Sequence, residues 1–272
     1  MPGLPPGATG AHDAPAATAE NASGVSPYVL LCEHASHFIP PEYGGLGLPG
    51  AELRRHIAWD IGAAALARLL SHMLDAPLFL SGYSRLLIDC NRPLGTPTSI
   101  PERSEDTVIP GNAGLSAAER VRRAAAYFSP LEQLVTAELD RRTRLAIPSI
   151  VLGVHSFTPV FQGVRRPWQA GVLYAEATDF GRGLVERLAA DAALTVGDNQ
   201  PYQVEAEHDY TVPVHGDRRG IPAALIEIRQ DLLGAEADIA RCSAWLAPAL
   251  SAVASHARTL RTSATTSGDR HG

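Results

Sequence analysis

The sequence predicts one α/β domain, a three-layer α/β/α arrangement around a mixed, mostly parallel sheet. Three observations carry this. Strand and helix signals alternate from residue 27 to residue 262. Strand signals such as Tyr28 to Cys32 (YVLLC) are near-continuous apolar runs, as in strands covered on both faces, not the alternation of a half-exposed sheet. Finally, 272 residues can bury one full core, and neither an internal repeat nor an interdomain linker divides them.

The elements follow in order. Residues 1–25 are rich in Pro, Ala and Gly and predict a disordered tail without the charged and apolar regions of a secretory signal. Tyr28 to Cys32 predicts the first strand, and Leu53 to Leu74 a long helix with Ile57, Ile61, Ala64, Ala65 and Leu69 at helical spacing. Pro40 and Pro41 keep the intervening segment out of a helix. Pro77 to Ser81 and Leu86 to Asp89 predict two short strands. A loop over 93–114 follows, and a connection that long in a compact domain points to function. Ser116 with Glu119 three residues on is a capping box, opening a helix that runs to about Arg144. Strands at Ser149 to Val154, Gly171 to Tyr174, Leu194 to Val196 and Ala223 to Ile228 complete the sheet. Helices over 179–190 and 235–259 cover it, and residues 263–272 predict a second disordered tail, leaving 26–262 as the domain.

Composition excludes several classes. A net charge of -6 and pI near 5.9 offer no basic excess for nucleic acid or an anionic membrane. No apolar run reaches the length of a membrane span. Three widely spaced cysteines, Cys32, Cys90 and Cys242, suit neither a disulfide framework nor a CxxC metal site, and a reducing cytoplasm is the expected compartment. All 23 basic residues are arginine, which rules out Schiff-base lysine chemistry.

Polar residues gather where strands end, and in open α/β sheets that edge is where sites form. The first strand stops at Glu33 and His34, the next pair at Arg85 and at Asp89, Asn91 and Arg92, a fourth at His155, and the last at Glu227 and Arg229. Burying such groups is costly unless they are paired or metal-bound. Each one alone reads equally as a satisfied structural residue. As a set, two imidazoles and a carboxylate suit a catalytic Zn²⁺, a further Glu suits a general base, and guanidinium groups suit carboxylates.

The segments CEHAS, HIAWDIGA, SRLLIDCNR, VHSFTP and IEIRQDL, in this order, resemble the N-formylglutamate amidohydrolase family over about residues 27 to 250. The resemblance implies a zinc-exopeptidase-like fold and hydrolysis of the amide of a small N-formyl or N-acyl amino acid such as N-formylglutamate. By it, His34 and His155 are metal ligands, Asn91 and Arg92 bind the substrate carboxylate, and Glu227 is the general base. Arg85 and Arg229 join them as substrate-binding residues. Asp60 is preferred as the third ligand over His37, which stands three residues after His34, and over Glu33. Asp60 could instead orient a ligand histidine, and His215, from YTVPVHGDRRG, could polarise the acyl carbonyl, protonate the leaving amine or pack its loop.

The cofactor expected is Zn²⁺, with other divalent transition ions compatible with the same donors. The competing readings are a metallo-amidase or carboxypeptidase-like peptidase on another N-acyl or peptidyl substrate, its pocket shaped by the 93–114 and Arg165-Arg166 loops, and a non-catalytic binding module.

Overall fold

The computed structural model describes residues 14–267. Seven strands form one sheet: β1 (Ala17–Glu20), β2 (Tyr28–Cys32), β3 (Leu78–Ser81), β4 (Ile150–Phe157), β5 (Ala170–Leu173), β6 (Val196–Asp198) and β7 (Ala223–Arg229). Their order is β1-β3-β2-β4-β7-β5-β6. β3, β2, β4 and β7 run parallel, as do β5 and β6; β1 against β3 and β7 against β5 are antiparallel. Every residue of β2, β3, β4 and β5 is buried, as their unbroken apolar runs require.

Helices cover both faces. On one side α1 (Ala63–Leu74), α4 (Thr178–Ala189) and α5 (Glu236–Ser267) pack Leu66, Leu70, Leu184, Leu246 and Leu250 against Leu30, Leu152 and Ile226. On the other, α2 (Ala117–Arg123) and α3 (Ser129–Arg144), joined through a π-helical turn, bury Phe128, Leu131, Val135 and Leu139 against Val29, Leu31 and Val151. The predicted cap holds: the Glu119 backbone N–H donates to Ser116 Oγ at 3.1 Å.

Five expectations change. Residues 14–25 are ordered: β1 pairs along the free edge of β3, Glu20 takes Arg68 in a two-pronged ion pair, and the Tyr83 hydroxyl donates to the Ala14 carbonyl at 2.6 Å. Residues 1–13 lie outside the described residues. Leu86 to Asp89 is not a strand but a tight turn sequence, whose Leu86, Leu87 and Ile88 enter the core from below the sheet. The helix expected from Leu53 starts only at Ala63, because Gly62 is left-handed at φ 80° and a Cβ there would collide with Leu233. Pro40 and Pro41 do not exclude helix: Pro41 opens a 3₁₀ turn from the first helical position, where its missing N–H costs nothing. At the other end α5 extends through Ser267, into the expected tail, while residues 268–272 lie outside the described residues.

Candidate active site

Three adjacent parallel strands, β2, β4 and β7, deliver their carboxyl ends to one edge of the sheet. His34 follows β2, and His155 in β4 stands in register with Glu227 in β7. Asp60 reaches the same point from the loop before α1, fixed by its own N–H donating to the His34 carbonyl at 3.0 Å. All four are buried and line a cavity of about 580 Å³, within the usual range for small-molecule sites.

Asp60 Oδ2 is the hub. It lies 3.2 Å from His34 Nδ1 and 2.9 Å from His155 Nδ1, and it accepts from the Ser156 N–H at 3.3 Å. The outer nitrogens face further acids: His34 Nε2 lies 2.8 Å from Asp89 Oδ1, and His155 Nε2 lies 3.0 Å from Glu33 Oε2. Glu33 Oε1 also accepts from the Thr211 hydroxyl. Arg85 closes the ring, 2.8 Å from Asp89 Oδ2 and 3.5 Å from Asp60 Oδ1.

The electrostatics follow from this packing. Burial and Arg85 oppose protonation of His34, but Asp89 and Asp60 outweigh them and raise its pKa. Burial likewise opposes protonation of His155, and Glu33 and Asp60 raise it well above the ordinary range. Burial works against ionising Glu33, yet His155 and Thr211 hold its carboxyl down at about 2. Asp60 and Asp89 are also depressed against their burial, by His34 and His155 for the first and by Arg85 and His34 for the second. Glu227 moves the other way: burial above all pushes it up to about 7, and its Oε2 has no hydrogen-bond partner.

His34, Asp60 and His155 form the group that could hold a metal ion. Their chemistry fits one. With neutral imidazoles, the carboxylates of Glu33, Asp60 and Asp89 against the Arg85 guanidinium leave two negative charges, which a divalent cation balances. Carboxylates only accept hydrogen bonds, so without an ion each imidazole needs a proton on both nitrogens. With the two Nδ1 atoms and Asp60 as ligands, the Nε2 atoms keep the protons, His34 Nε2 hydrogen-bonded to Asp89 and His155 Nε2 3.0 Å from Glu33, carboxylates of the kind that orient metal-binding histidines.

The structure separates the remaining expected residues. His37 is outside the group, its ring 4.9 Å from that of Trp59, and Glu33 serves His155 from behind. Arg85, Asn91 and Arg92 reach the cavity. The Asn91 side-chain Oδ1 is occupied, however, by the backbone N–H groups of Tyr210 and Thr211, and Arg92 is ion-paired to Asp209 at 2.6 Å. Arg229, the last residue of β7, is not on the cavity wall; its guanidinium turns to Asp231 at 2.7 Å and to the Arg166, Pro167 and Trp168 carbonyls. His215 is likewise elsewhere: it contacts Glu132 at 3.1 Å beside a separate space of about 10 Å³, behind Glu33, and a role at the acyl group does not fit that position.

Three features that the sequence marks only in outline take specific places in the structure. Asp89, expected at a strand end, holds His34; an acid directly after the apolar Leu86, Leu87 and Ile88 is the signal that marks it. Arg166, from the loop expected to shape the pocket, is buried with its guanidinium over the Phe161 and Tyr202 rings, which form part of the wall. The 93–114 loop contains a hairpin of Arg103–Ser104 with Thr107–Val108 and supplies Thr98, Pro101, Arg103, Ser104 and Glu105 to the cavity.

Fold and site thus define the class: an α/β/α protein with its acid-base groups collected in one cavity at the carboxyl edge of the sheet. The sequence pattern of N-formylglutamate amidohydrolase matches residues 26–234, and the chain belongs to that family of amidohydrolases. A gene product of Agrobacterium tumefaciens of known crystal structure is 37% identical, with a TM-score of 0.87 over 90% of this chain and 97% of that one. The crystal structure of N-formylglutamate amidohydrolase from Ralstonia eutropha shares the fold at 20% identity and a TM-score of 0.64, over 87% of this chain and 95% of that one. No curated protein matches the chain. Among the described residues no helix is long and apolar enough to cross a membrane.

Proposed function

We propose that this chain hydrolyses the amide bond of an N-formyl or N-acyl amino acid of the N-formylglutamate type, releasing the acyl group as a carboxylate. A divalent transition ion, zinc by first choice, would be held by His34 Nδ1, Asp60 and His155 Nδ1. The observation that carries this reading is the layered arrangement of carboxylates: Asp60 between the two Nδ1 atoms, with Asp89 and Glu33 on the two Nε2 atoms. A bound ion of this kind supplies Lewis acidity, lowering the pKa of a water and polarising an acyl carbonyl.

The chain's own groups carry the rest. Glu227, buried beside the cluster with one oxygen unpartnered, takes the proton of the attacking water and returns it to the leaving nitrogen. Arg85, held by Asp89 and Asp60, presents its guanidinium to the cavity and holds the substrate. Asp89 and Glu33 hold the two imidazoles in one tautomer, so that Nδ1 stays free to bind the ion.

The purified protein should contain about one transition ion per chain, lose hydrolysis of N-formylglutamate in a strong chelator, and regain it with Zn²⁺. Undiminished turnover in a chelator that has demonstrably stripped the metal would sink the mechanism. A panel of formyl, acetyl and peptidyl substrates on the same preparation identifies the acyl group.

A further inference from the structure

Three arginines line the cavity among the described residues, Arg85, Arg92 and Arg103, and they are not equivalent. Arg85, deep in the site, has its charge balanced by Asp89 and Asp60 while it faces the cavity, and Arg92 is paired to Asp209. Among the described residues Arg103 has no carboxylate within ion-pair distance; its Nη1 donates to the Asp106 backbone carbonyl at 3.2 Å, and the other donors of the fork are left for a ligand. The nearby acid that could neutralise it, Glu105, turns to Arg55, which donates to its Oε2 at 2.8 Å.

The same ion pair fixes where Arg103 stands. Arg55 also donates to Thr107 Oγ1 at 2.9 Å, so the hairpin that carries Arg103 is tied to the segment leading into Asp60. Further along the loop, buried Arg123 holds the Asn112 side chain at 2.7 Å, and Asn112 in turn donates to the Leu86 and Pro101 carbonyls. The guanidinium is therefore carried on a braced hairpin, which lowers the entropy lost on capturing an anion. Arg103 is exposed whereas His34, Asp60, His155 and Glu227 are buried, so it stands at the mouth and the reacting groups at the floor.

We infer that Arg103 is the specificity residue for acidic substrates, binding the carboxylate furthest from the scissile amide. This rests on the amidohydrolase reading and adds to it the selection of an N-acyl amino acid with an acidic side chain. The wild type should favour N-formyl-L-glutamate over N-formyl-L-glutamine, which has the same shape and no side-chain charge.

Arg103→Ala should raise KM for the glutamate substrate about ten- to a hundredfold, as loss of a charge-assisted pair implies. The glutamate-to-glutamine preference should collapse by the same factor, with kcat changing far less than KM. R103K should recover part of the preference and R103E should invert it. Calorimetric binding of glutarate, which needs no turnover, should weaken in parallel. Equal changes for both substrates, or glutarate binding unaltered in R103A and R103E, would overturn the assignment. If the wild type cleaved neither substrate nor their N-acetyl counterparts, the amidohydrolase reading would fail, while the glutarate measurement would still decide whether Arg103 binds a distal carboxylate.

Discussion

Replacing Glu227 with glutamine separates what this residue does for chemistry from what it costs the fold. Gln keeps the shape of the side chain but cannot take a proton from water. Losing a positioned general base lowers turnover by about 10²- to 10⁴-fold, which is about 3 to 5 kcal/mol of barrier at roughly 1.4 kcal/mol per factor of ten. The fold responds in the opposite sense. Burial pushes the Glu227 carboxyl from 4.5 up to about 7, and at roughly 1.4 kcal/mol per unit its ionisation costs the metal-free protein about 3 kcal/mol. For an acid whose folded pKa is raised, the stability is fully present below the unfolded value and is lost as pH rises through the folded one. Burying the amide of Gln adds an offset that does not depend on pH. The stability difference between E227Q and the wild type should therefore move in favour of E227Q by about 3 kcal/mol between pH 4 and pH 8. Urea denaturation of the metal-free proteins over that range measures it, and steady-state kinetics of the metal-loaded proteins measures turnover. Metal content should match the wild type. Turnover within tenfold of wild type would remove Glu227 from the base role, and a stability gap flat with pH would refute the burial argument.

Two further substitutions test the frame around the site. Arg142 is 1% exposed, donating to Glu138 at 2.6 Å and to the Ser26 carbonyl at 2.9 Å. Arg142→Met should cost about 3 kcal/mol, since a buried pair loses one partner. Burial opposes ionising Glu138, but Arg141 and Arg142 hold its carboxyl below the ordinary value. That stabilisation is present above the usual glutamate pKa and lost as pH falls through the lowered one, so the deficit of R142M should shrink in acid, as denaturation at pH 7 and pH 3 would record. His215→Ala should lower stability by about 1 to 3 kcal/mol by leaving Glu132 without its buried partner. Its kcat/KM for N-formylglutamate should fall less than tenfold; a loss as deep as that of E227Q would return His215 to the chemistry.

Much of the site was legible because burying a titratable group at a strand end is expensive and therefore conspicuous. His34 after YVLLC, His155 after VLGV and Glu227 after ALI stand out for that reason, and the parallel order of β2, β4 and β7 brings them together. Asp60 was assigned to a helix and is in a loop, because apolar spacing in 53–62 comes from Ile57 and Ala58 packing under the sheet edge and not from helix periodicity. Arg229 was placed beside Glu227 by the two-residue repeat of a strand, and it is the last residue of β7, but its guanidinium is taken by Asp231 just beyond the strand. β1 was invisible because its Ala-rich residues are held by backbone pairing, which leaves little mark in side chains. Asp89 and Glu33 were visible as acids next to apolar runs, but only coordinates show which histidine each one serves.

The segment from Glu52 to Gly62 links the two ends of the cavity. Near its start Arg55 and His56 hold Glu105 of the hairpin that carries Arg103, and at its end Asp60 sits between the two imidazoles. A continuous helix over these residues would have advanced only 1.5 Å per residue and presented side chains around a cylinder. Gly62 delays α1 until Ala63, leaving a 3₁₀ turn and a run of turns between the hairpin contacts of Arg55 and Asp60. Recognition at the mouth and the Asp60 carboxylate at the floor are thereby positioned by a single short segment. Arg55 thus ties the hairpin to the segment that ends at Asp60, while buried Arg123 braces the rest of the loop through the Asn112 side chain and the Leu87 and Gly111 carbonyls.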